Sequence, residues 1–490
     1  MSALMFQGTG SDVGKSLVVA GLCRALVNRG LSVKPFKPQN MSNNAAVVLG
    51  GGEIGRAQAL QAKACKLAPH IDMNPVLLKP QSDVGAQLVV MGKVEGNFAA
   101  KEYQSKKIEL LDVVTDAACR LEERADFLLI EGAGSAAEVN LRDNDIANMG
   151  FAIATQTPVV LVADIDRGGV IASIVGTWEL LQEEERKLIG GYIINKFRGD
   201  IDLFRSGIEI IKKKTGLLCF GVIPFISAAA RLPQEDAYSL ENAVKERAVG
   251  QFKIVVPKLA HISNYDDFDP LIAEPDVDLA FIDRGEMLPE NADLVILPGS
   301  KTTISDLMDL RKQGWDIDIK AHLRRGGSVY GICAGYQMLG QWIKDPDKLE
   351  GKITSVQGLG LLDVETILGG DKVLKEVAAV SCLGFGEFSG YEMHIGSTLG
   401  PDCQKPFGKI GDRNTGAVSP DGKVGGCYVH GLFANDLFRH EMLSSIKDRG
   451  ASGVYYDQQV EDALDRVSAV LEKSLNVDSL LSLARQFQQK

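Results

Sequence analysis

Two stretches of this chain carry side chains whose types and spacing can do chemistry. The first is Gly8-Thr9-Gly10-Ser11-Asp12-Val13-Gly14-Lys15-Ser16. It follows the apolar run Ala3-Leu4-Met5-Phe6 and precedes Leu17 to Leu26, which is apolar and long enough for a helix. Strand, glycine-rich turn, Gly-Lys-Ser and helix is the setting of a phosphate-binding loop. Without Cβ atoms at Gly8, Gly10 and Gly14, successive backbone N–H groups can converge on an anion, and the helix N-terminus adds partial positive charge. Lys15 is then placed to reach the β- and γ-phosphates and the Ser16 hydroxyl to ligate Mg²⁺. The first glycine comes one residue early, so Thr9 stands where the motif commonly has glycine.

The second stretch is Gly331-Ile332-Cys333-Ala334-Gly335, a G-x-C-x-G turn between an apolar strand and a helix expected over Tyr336 to Ile343. It has the form of a nucleophile elbow with cysteine in place of serine. The helix start that follows favours thiolate over thiol. A thiol nucleophile needs a base, and the chain has six histidines. His430, in Tyr428-Val429-His430-Gly431-Leu432-Phe433, ends a strand in the same half of the chain and is the first candidate; His394 is the second. Leu297-Pro298-Gly299-Ser300 leaves backbone N–H groups after a strand, so Gly299 is the candidate oxyanion loop.

The elements that must position these groups are legible as alternating apolar runs and helical stretches. Strands are expected at 32–36, 127–130, 158–163, 190–194 and 219–224, with helices over 55–67 and 108–125. Continuous apolar strands separated by helices mean a parallel sheet covered on both faces, and such sheets bind ligands at the carboxyl ends of their strands. Lys37, Glu131, Asp164, Asn195 and Lys196 all fall at such ends. A charged stretch, Asp236 to Gln251, reads as a helix or linker and sets a boundary near 245–252. A second strand series follows at 253–256, 279–282, 294–297 and 328–331. The region 351–430 reads as antiparallel hairpins, and Leu437 to Gln488 as amphipathic helix. The fold class is therefore α/β with two doubly wound domains: a P-loop parallel sheet over 1–245, a flavodoxin-like domain over 252–440, and a helical extension over 441–490.

Composition sets bounds on the function. The 490 residues, 45% hydrophobic and 24% charged, are those of an ordinary globular protein, and the formal net charge of −11 argues against a general nucleic-acid binder. No apolar run approaches a membrane span, and a strand that begins almost at once leaves no room for a signal peptide. The eight cysteines include no C-x-x-C pair, so neither a zinc site nor a disulfide framework is supported, and a reducing cytoplasm is the expected home.

Several motifs together carry a resemblance. Gly8 to Ser16, Lys37 and Glu131-Gly132-Ala133-Gly134 resemble the dethiobiotin synthetase-like P-loop family. Cys333 with His430 resembles a class I glutamine amidotransferase of the kind fused to cobalamin-pathway synthetases. Lys37 to Asn44, Asn74 to Pro80, Asn140 to Met149, Asp164 to Gly169 and Gly331 to Gly340 bring the whole chain nearest to the cobyric acid synthase family. That resemblance implies amidation of the b, d, e and g propionate carboxylates of adenosylcobyrinic acid a,c-diamide, with glutamine as nitrogen source, ATP as activator and Mg²⁺. It implies that Gly8, Thr9, Gly10, Gly14, Lys15 and Ser16 bind nucleotide and that Asn195 and Lys196 read the adenine. Ser16 and Glu131 would hold Mg²⁺, with Glu53 as a third candidate. Lys37 would bridge γ-phosphate and substrate carboxylate, and Arg142, Asp143, Asp145 and Asn148 would face the corrinoid. The His-x-Glu of many class I amidotransferases is absent, because Gly431 and Leu432 follow His430; the orienting partner stays unidentified. A closed route for ammonia, a corrinoid and L-glutamine as partners, and a possible homo-oligomer complete the expectations. Cobyrinic acid a,c-diamide synthase and a P-loop switch ATPase are the alternatives.

Overall fold

The computed structural model describes residues 2–82, 85–233, 251–450 and 452–486. The charged stretch read as helix or linker lies, apart from Gln251, outside the described residues. The chain divides into two compact units, one formed by Met1–Ser42, Gly52–Pro233 and Val460–Lys490, the other by Asn43–Gly51 and Gln234–Gln459.

The first unit is built on a six-stranded sheet. Its strands are β1 (Ser2–Gly8), β2 (Val33–Phe36), β3 (Phe127–Ser135), β4 (Val159–Asp164), β5 (Ile189–Phe197) and β6 (Leu218–Pro224). They run in the order β6-β5-β4-β1-β3-β2, every pairing parallel. β1 and β4 are buried at every residue, as strands covered on both faces must be. Strand order reverses about β1, which places its carboxyl end, and the loop that follows, at the switch point of the sheet.

Helix α1 (Lys15–Asn28) starts from Gly14, whose φ of 88° lies in the left-handed region. Ten of its residues are buried, including Arg24, more than one amphipathic face requires. The reason is a second cover from far along the chain. Helices α3 (Tyr456–Ser474), from Val460 onward, and α4 (Val477–Gln486) pack onto α1 and β1. A Cβ on Gly21 would sit 2.5 Å from Leu471, and one on Gly190 2.4 Å from Leu483. The Arg24 guanidinium pairs with Glu461 at 2.6 Å and Asp465 at 3.3 Å. The segment 441–490 thus divides between the units instead of forming one body. The helix Asp436–Ile446 precedes these two. A small sheet absent from the sequence reading, Gln39–Met41, Val76–Ser82, Gly85–Val90 and Lys93–Ala99, extends from the region after β2.

The second unit carries another doubly wound sheet. Strands β7 (Phe252–Pro257), β8 (Val277–Ile282), β9 (Leu294–Leu297), β10 (Ser328–Ile332) and β11 (Val424–Cys427) run in the order β8-β7-β9-β10-β11, all parallel. Ala417–Val418 closes the edge in antiparallel fashion. β10 leads into α2 (Ala334–Leu339), shorter than the helix expected over 336–343, because Trp342–Lys344 turns into a strand. Much of 373–430 forms antiparallel pairs, among them Glu387–His394 against Val429–His430, with Tyr391 opposite His430.

Candidate functional site

In the first unit, the loop after β1 closes over itself through groups from three other strand ends. A Cβ on Gly8 would fall 2.6 Å from the Gly10 carbonyl and 2.9 Å from both the Gly134 carbonyl and Lys15 Nζ, so only glycine fits there. Lys15 Nζ donates to the Gly134 carbonyl at 2.9 Å and to that of Gly10 at 3.4 Å, which lays the ammonium along the loop. Asn195 Nδ2 donates to the Val13 carbonyl at 2.9 Å, and a Cβ on Gly14 would meet that nitrogen at 2.3 Å. Lys196 Nζ reaches the Asp12 carbonyl at 2.6 Å and the Asp164 carboxylate at 2.8 Å. The loop is therefore braced by β5, and Thr9 N donates to Val162 of β4 at 3.0 Å.

Glu131 is the hub beside this loop. Its Oε1 accepts from Ser16 Oγ at 2.7 Å and from Lys37 Nζ at 2.9 Å; its Oε2 accepts from Gln61 Nε2 at 2.5 Å. Lys37 and Glu131 are both buried, which costs free energy unless the pair is closed and hydrogen-bonded. Glu53 is likewise buried, in an ion pair with Lys79.

The polar loop after β3 has a mixed role. Asp145 accepts from the backbone of Ala147 at 2.8 Å, Asn148 at 3.1 Å and Gly150 at 3.0 Å, which ties down the start of helix Met149–Thr155. Asn148 Nδ2 donates to the Ala133 carbonyl at 2.5 Å and to that of Ser135, so it holds the strand end that carries Glu131. Arg142 pairs with Glu185 at 2.9 Å, and Asp143 is exposed.

In the second unit, Cys333 occupies a φ of 53° and ψ of −110°, a conformation that residues with a Cβ rarely adopt. Its flanks explain how it is held. A Cβ on Gly331 would meet the Gly335 backbone at 2.6 Å, and one on Gly335 the Leu297 carbonyl at 2.1 Å. Cys333 N donates to the Cys427 carbonyl at 2.9 Å. His430 Nδ1 lies 2.7 Å from Asp267 Oδ2, and Asp267 Oδ1 accepts from Gly431 N at 2.6 Å. His430 and Asp267 are 1% and 2% exposed. Burial alone would lower the His430 pKa. The Asp267 carboxylate and the Cys333 sulfur more than offset that and hold it at about 10. Tyr391 stacks on the imidazole at 5.3 Å. Gly299 lies against the same ring: a Cβ there would sit 2.9 Å from His430 Cε1. His394, the second candidate base, instead stacks on Tyr428 at 3.7 Å, and burial first of all pushes its pKa down to about 4.

The sequence reading missed Asp267 and Gln61. Asp267 sits in a short turn, Tyr265–Phe268, after β7, 163 residues before its histidine. The local signal is a pair of aspartates, Asp266-Asp267, between two aromatic residues in the loop after β7. Gln61 shows no signal beyond its place on the helix that follows Gly55.

With this geometry in hand, comparison with known proteins defines the class. Residues 4–240 match the CobQ/CobB/MinD/ParA nucleotide binding domain, and residues 253–438 the CobB/CobQ-like glutamine amidotransferase domain. The chain thus joins a nucleotide-binding domain to a glutamine amidotransferase domain. It is 54% identical to the cobyric acid synthase of Mesorhizobium japonicum over 99% of either chain. It is 54% identical to that of Brucella suis and 55% identical to that of Rhizobium rhizogenes, over 98% of this chain and 99% of each of theirs. The chain belongs to the cobyric acid synthase family. Among the described residues no helix is long and apolar enough to cross a membrane.

Proposed function

We infer that this protein amidates the b, d, e and g propionate carboxylates of adenosylcobyrinic acid a,c-diamide to give adenosylcobyric acid, using ATP and glutamine. The observation that carries the reading is the buried Cys333–His430–Asp267 arrangement, present in a chain that also holds the Lys15–Ser16–Glu131–Lys37 cluster. The identity of the corrinoid is supported by the relatives, which are cobyric acid synthases along almost their whole length.

In the amidotransferase unit Cys333 attacks the side-chain carbonyl of glutamine, and the Gly299 amide together with the N–H of Ala334, the residue after the nucleophile, receives the oxyanion. His430 hands a proton to the departing ammonia, then activates water that releases glutamate from the thioester. Asp267 holds Nδ1 so that Nε2 faces the sulfur. In the nucleotide-binding unit the loop amides and Lys15 cradle the phosphates of ATP, and Asn195 and Lys196 border the base. A carboxylate is a poor electrophile; phosphoryl transfer from ATP makes an acyl phosphate with release of ADP, and ammonia then displaces phosphate. Lys37 neutralises charge on the carboxylate being activated. Ser16 and Glu131 present hard oxygens 2.7 Å apart, a donor set that fits Mg²⁺, and these two residues would hold it. When bound, that ion would neutralise phosphate charge. Glu53 is its third candidate ligand. Arg142 and Asp143 are assigned to the corrinoid, and Asp145 and Asn148 to shaping the loop that meets it. The cytoplasm is the expected compartment.

The test is mass spectrometry of the corrinoid after incubation with ATP, Mg²⁺ and glutamine. Four successive exchanges of carboxylate for amide are expected. Growth only from cobyrinic acid, none from its a,c-diamide, would move the assignment to the diamide synthase.

The Asp267 contact makes a separate prediction. A histidine whose folded pKa is about 10 stays protonated through neutral pH and loses its proton only on the alkaline side. Glutaminase kcat/KM should therefore fall on an alkaline limb near pH 10. Asp267→Asn removes the charge that raises the pKa, so the limb should move down by at least about one pH unit, with kcat reduced by on the order of 10²–10⁴-fold. An unchanged limb would remove Asp267 from this role.

A further inference from the structure

Asp306 is fully buried on the first turn of the helix Thr303–Lys312, and its carboxylate ties together two loops that do not touch in sequence. Oδ2 accepts from Ser300 Oγ at 2.6 Å and from His261 N at 3.1 Å; Oδ1 lies 2.8 Å from His261 Nδ1. Ser300 Oγ in turn accepts from Thr302 N at 3.0 Å. The same two loops are stitched by their backbones, with Lys301 N donating to the His261 carbonyl at 2.9 Å and Ser263 N to the Gly299 carbonyl at 3.0 Å. One loop carries Gly299. The other, 261–264, leads directly into the turn that carries Asp267.

We propose that Asp306 is a positioning residue for glutamine hydrolysis: its carboxylate sets the Gly299 loop at the distance from Cys333 that the oxyanion requires. The proposal rests on Cys333 being the glutaminase nucleophile. The physical reason is the nature of the loop. The run Pro298–Thr302 belongs to no helix or extended strand, so its course is set jointly by its few backbone bonds to the 261–263 loop and by the Asp306 carboxylate acting through Ser300. A charged, dry acceptor shared by Ser300 and His261 is stronger than a neutral one, and a donor displaced by a fraction of an ångström loses most of its effect on a developing oxyanion. The side-chain partners of Asp306 are Ser300 and His261, not the Cys333 sulfur or the His430 imidazole. Its effect should therefore be confined to steps that place negative charge on the substrate oxygen.

That confinement is measurable. Alkylation of Cys333 by iodoacetamide forms an S–C bond and expels iodide without any tetrahedral oxyanion, so it reports the thiolate and His430 alone. For Asp306→Asn the expected result is a fall in glutaminase kcat of on the order of 10²-fold, a KM for glutamine within about three-fold of wild type, and an alkylation rate within about two-fold. Amidation driven by ammonium chloride should be unchanged. Ser300→Ala, which removes the Oγ bonds to Asp306 and Thr302 and leaves both His261 bonds to Asp306 in place, should show the same pattern at smaller amplitude and stands in if Asp306→Asn fails to fold. Wild-type kcat in both variants, or alkylation falling in parallel with kcat, would overturn the proposal. Glutamine hydrolysis that survives full alkylation of Cys333 would instead overturn the underlying assignment of the nucleophile.

Discussion

Cys333→Ala is expected to abolish glutamine-dependent amidation, by on the order of 10⁴–10⁶-fold, and to leave ammonia-dependent amidation at the wild-type rate. The expected loss is large because, in the proposed mechanism, the sulfur forms the acyl bond itself and no other group can take its place. Rescue is expected because ammonia supplied from solution needs only the activated carboxylate. The experiment compares the two nitrogen sources on one enzyme preparation. Equal loss with both would mean that the substitution damages the chain more broadly. The backbone provides an independent check. Alanine inherits the φ of 53° at this site, whereas glycine does not pay for it, so Cys333→Gly should be more stable than Cys333→Ala by about 1 kcal/mol. Thermal melting of the two inactive variants measures this difference without reference to activity.

Glu131→Gln should stop amidation with glutamine and with ammonia alike, by on the order of 10³-fold. One carboxylate accepts from Ser16, Lys37 and Gln61, so its neutralisation removes the charge proposed to hold Mg²⁺ and disturbs the lysine proposed to meet the substrate. It also takes from Lys37, 5% exposed, the carboxylate charge that faces it at 2.9 Å. Breaking such a buried pair costs about 3–5 kcal/mol, whereas replacing both partners by apolar groups costs far less. The double variant Glu131→Gln, Lys37→Met should therefore recover much of the lost stability and none of the activity. Iodoacetamide labelling of Cys333 should be untouched in both. If amidation survived in Glu131→Gln with an unaltered Mg²⁺ requirement, the hub would be structural.

The parts of this protein legible in its sequence are those whose physics is local. A phosphate loop is a strand, a glycine-rich turn and a helix start in succession, and Gly8 to Ser16 lie within one such unit. Gly331 to Gly335 read as an elbow for the same reason: two glycines must flank a side chain lifted out of a strand-to-helix turn. Apolar continuity identified the parallel strands, and strand ends in such sheets point to Lys37, Glu131 and Asn195. His430 was chosen from six histidines by its place at a strand end, although its register opposite Tyr391 depends on long-range pairing.

What only the tertiary structure decided is whatever depends on partners far apart in the chain. Asp267 and His430 meet across 163 residues, with no motif spacing to link them, so the familiar His-x-Glu pattern could not announce the acid. Asp306 gains its meaning only because two loops converge on it. That the Asp145 oxygens receive the backbone amides of a helix start is likewise a tertiary fact that a polar loop does not reveal. The C-terminal helices read correctly as amphipathic, but amphipathicity states only that an apolar face must be covered. Which surface covers it is settled by the fit of Leu471 to Gly21 and of Leu483 to Gly190, contacts between residues hundreds of positions apart.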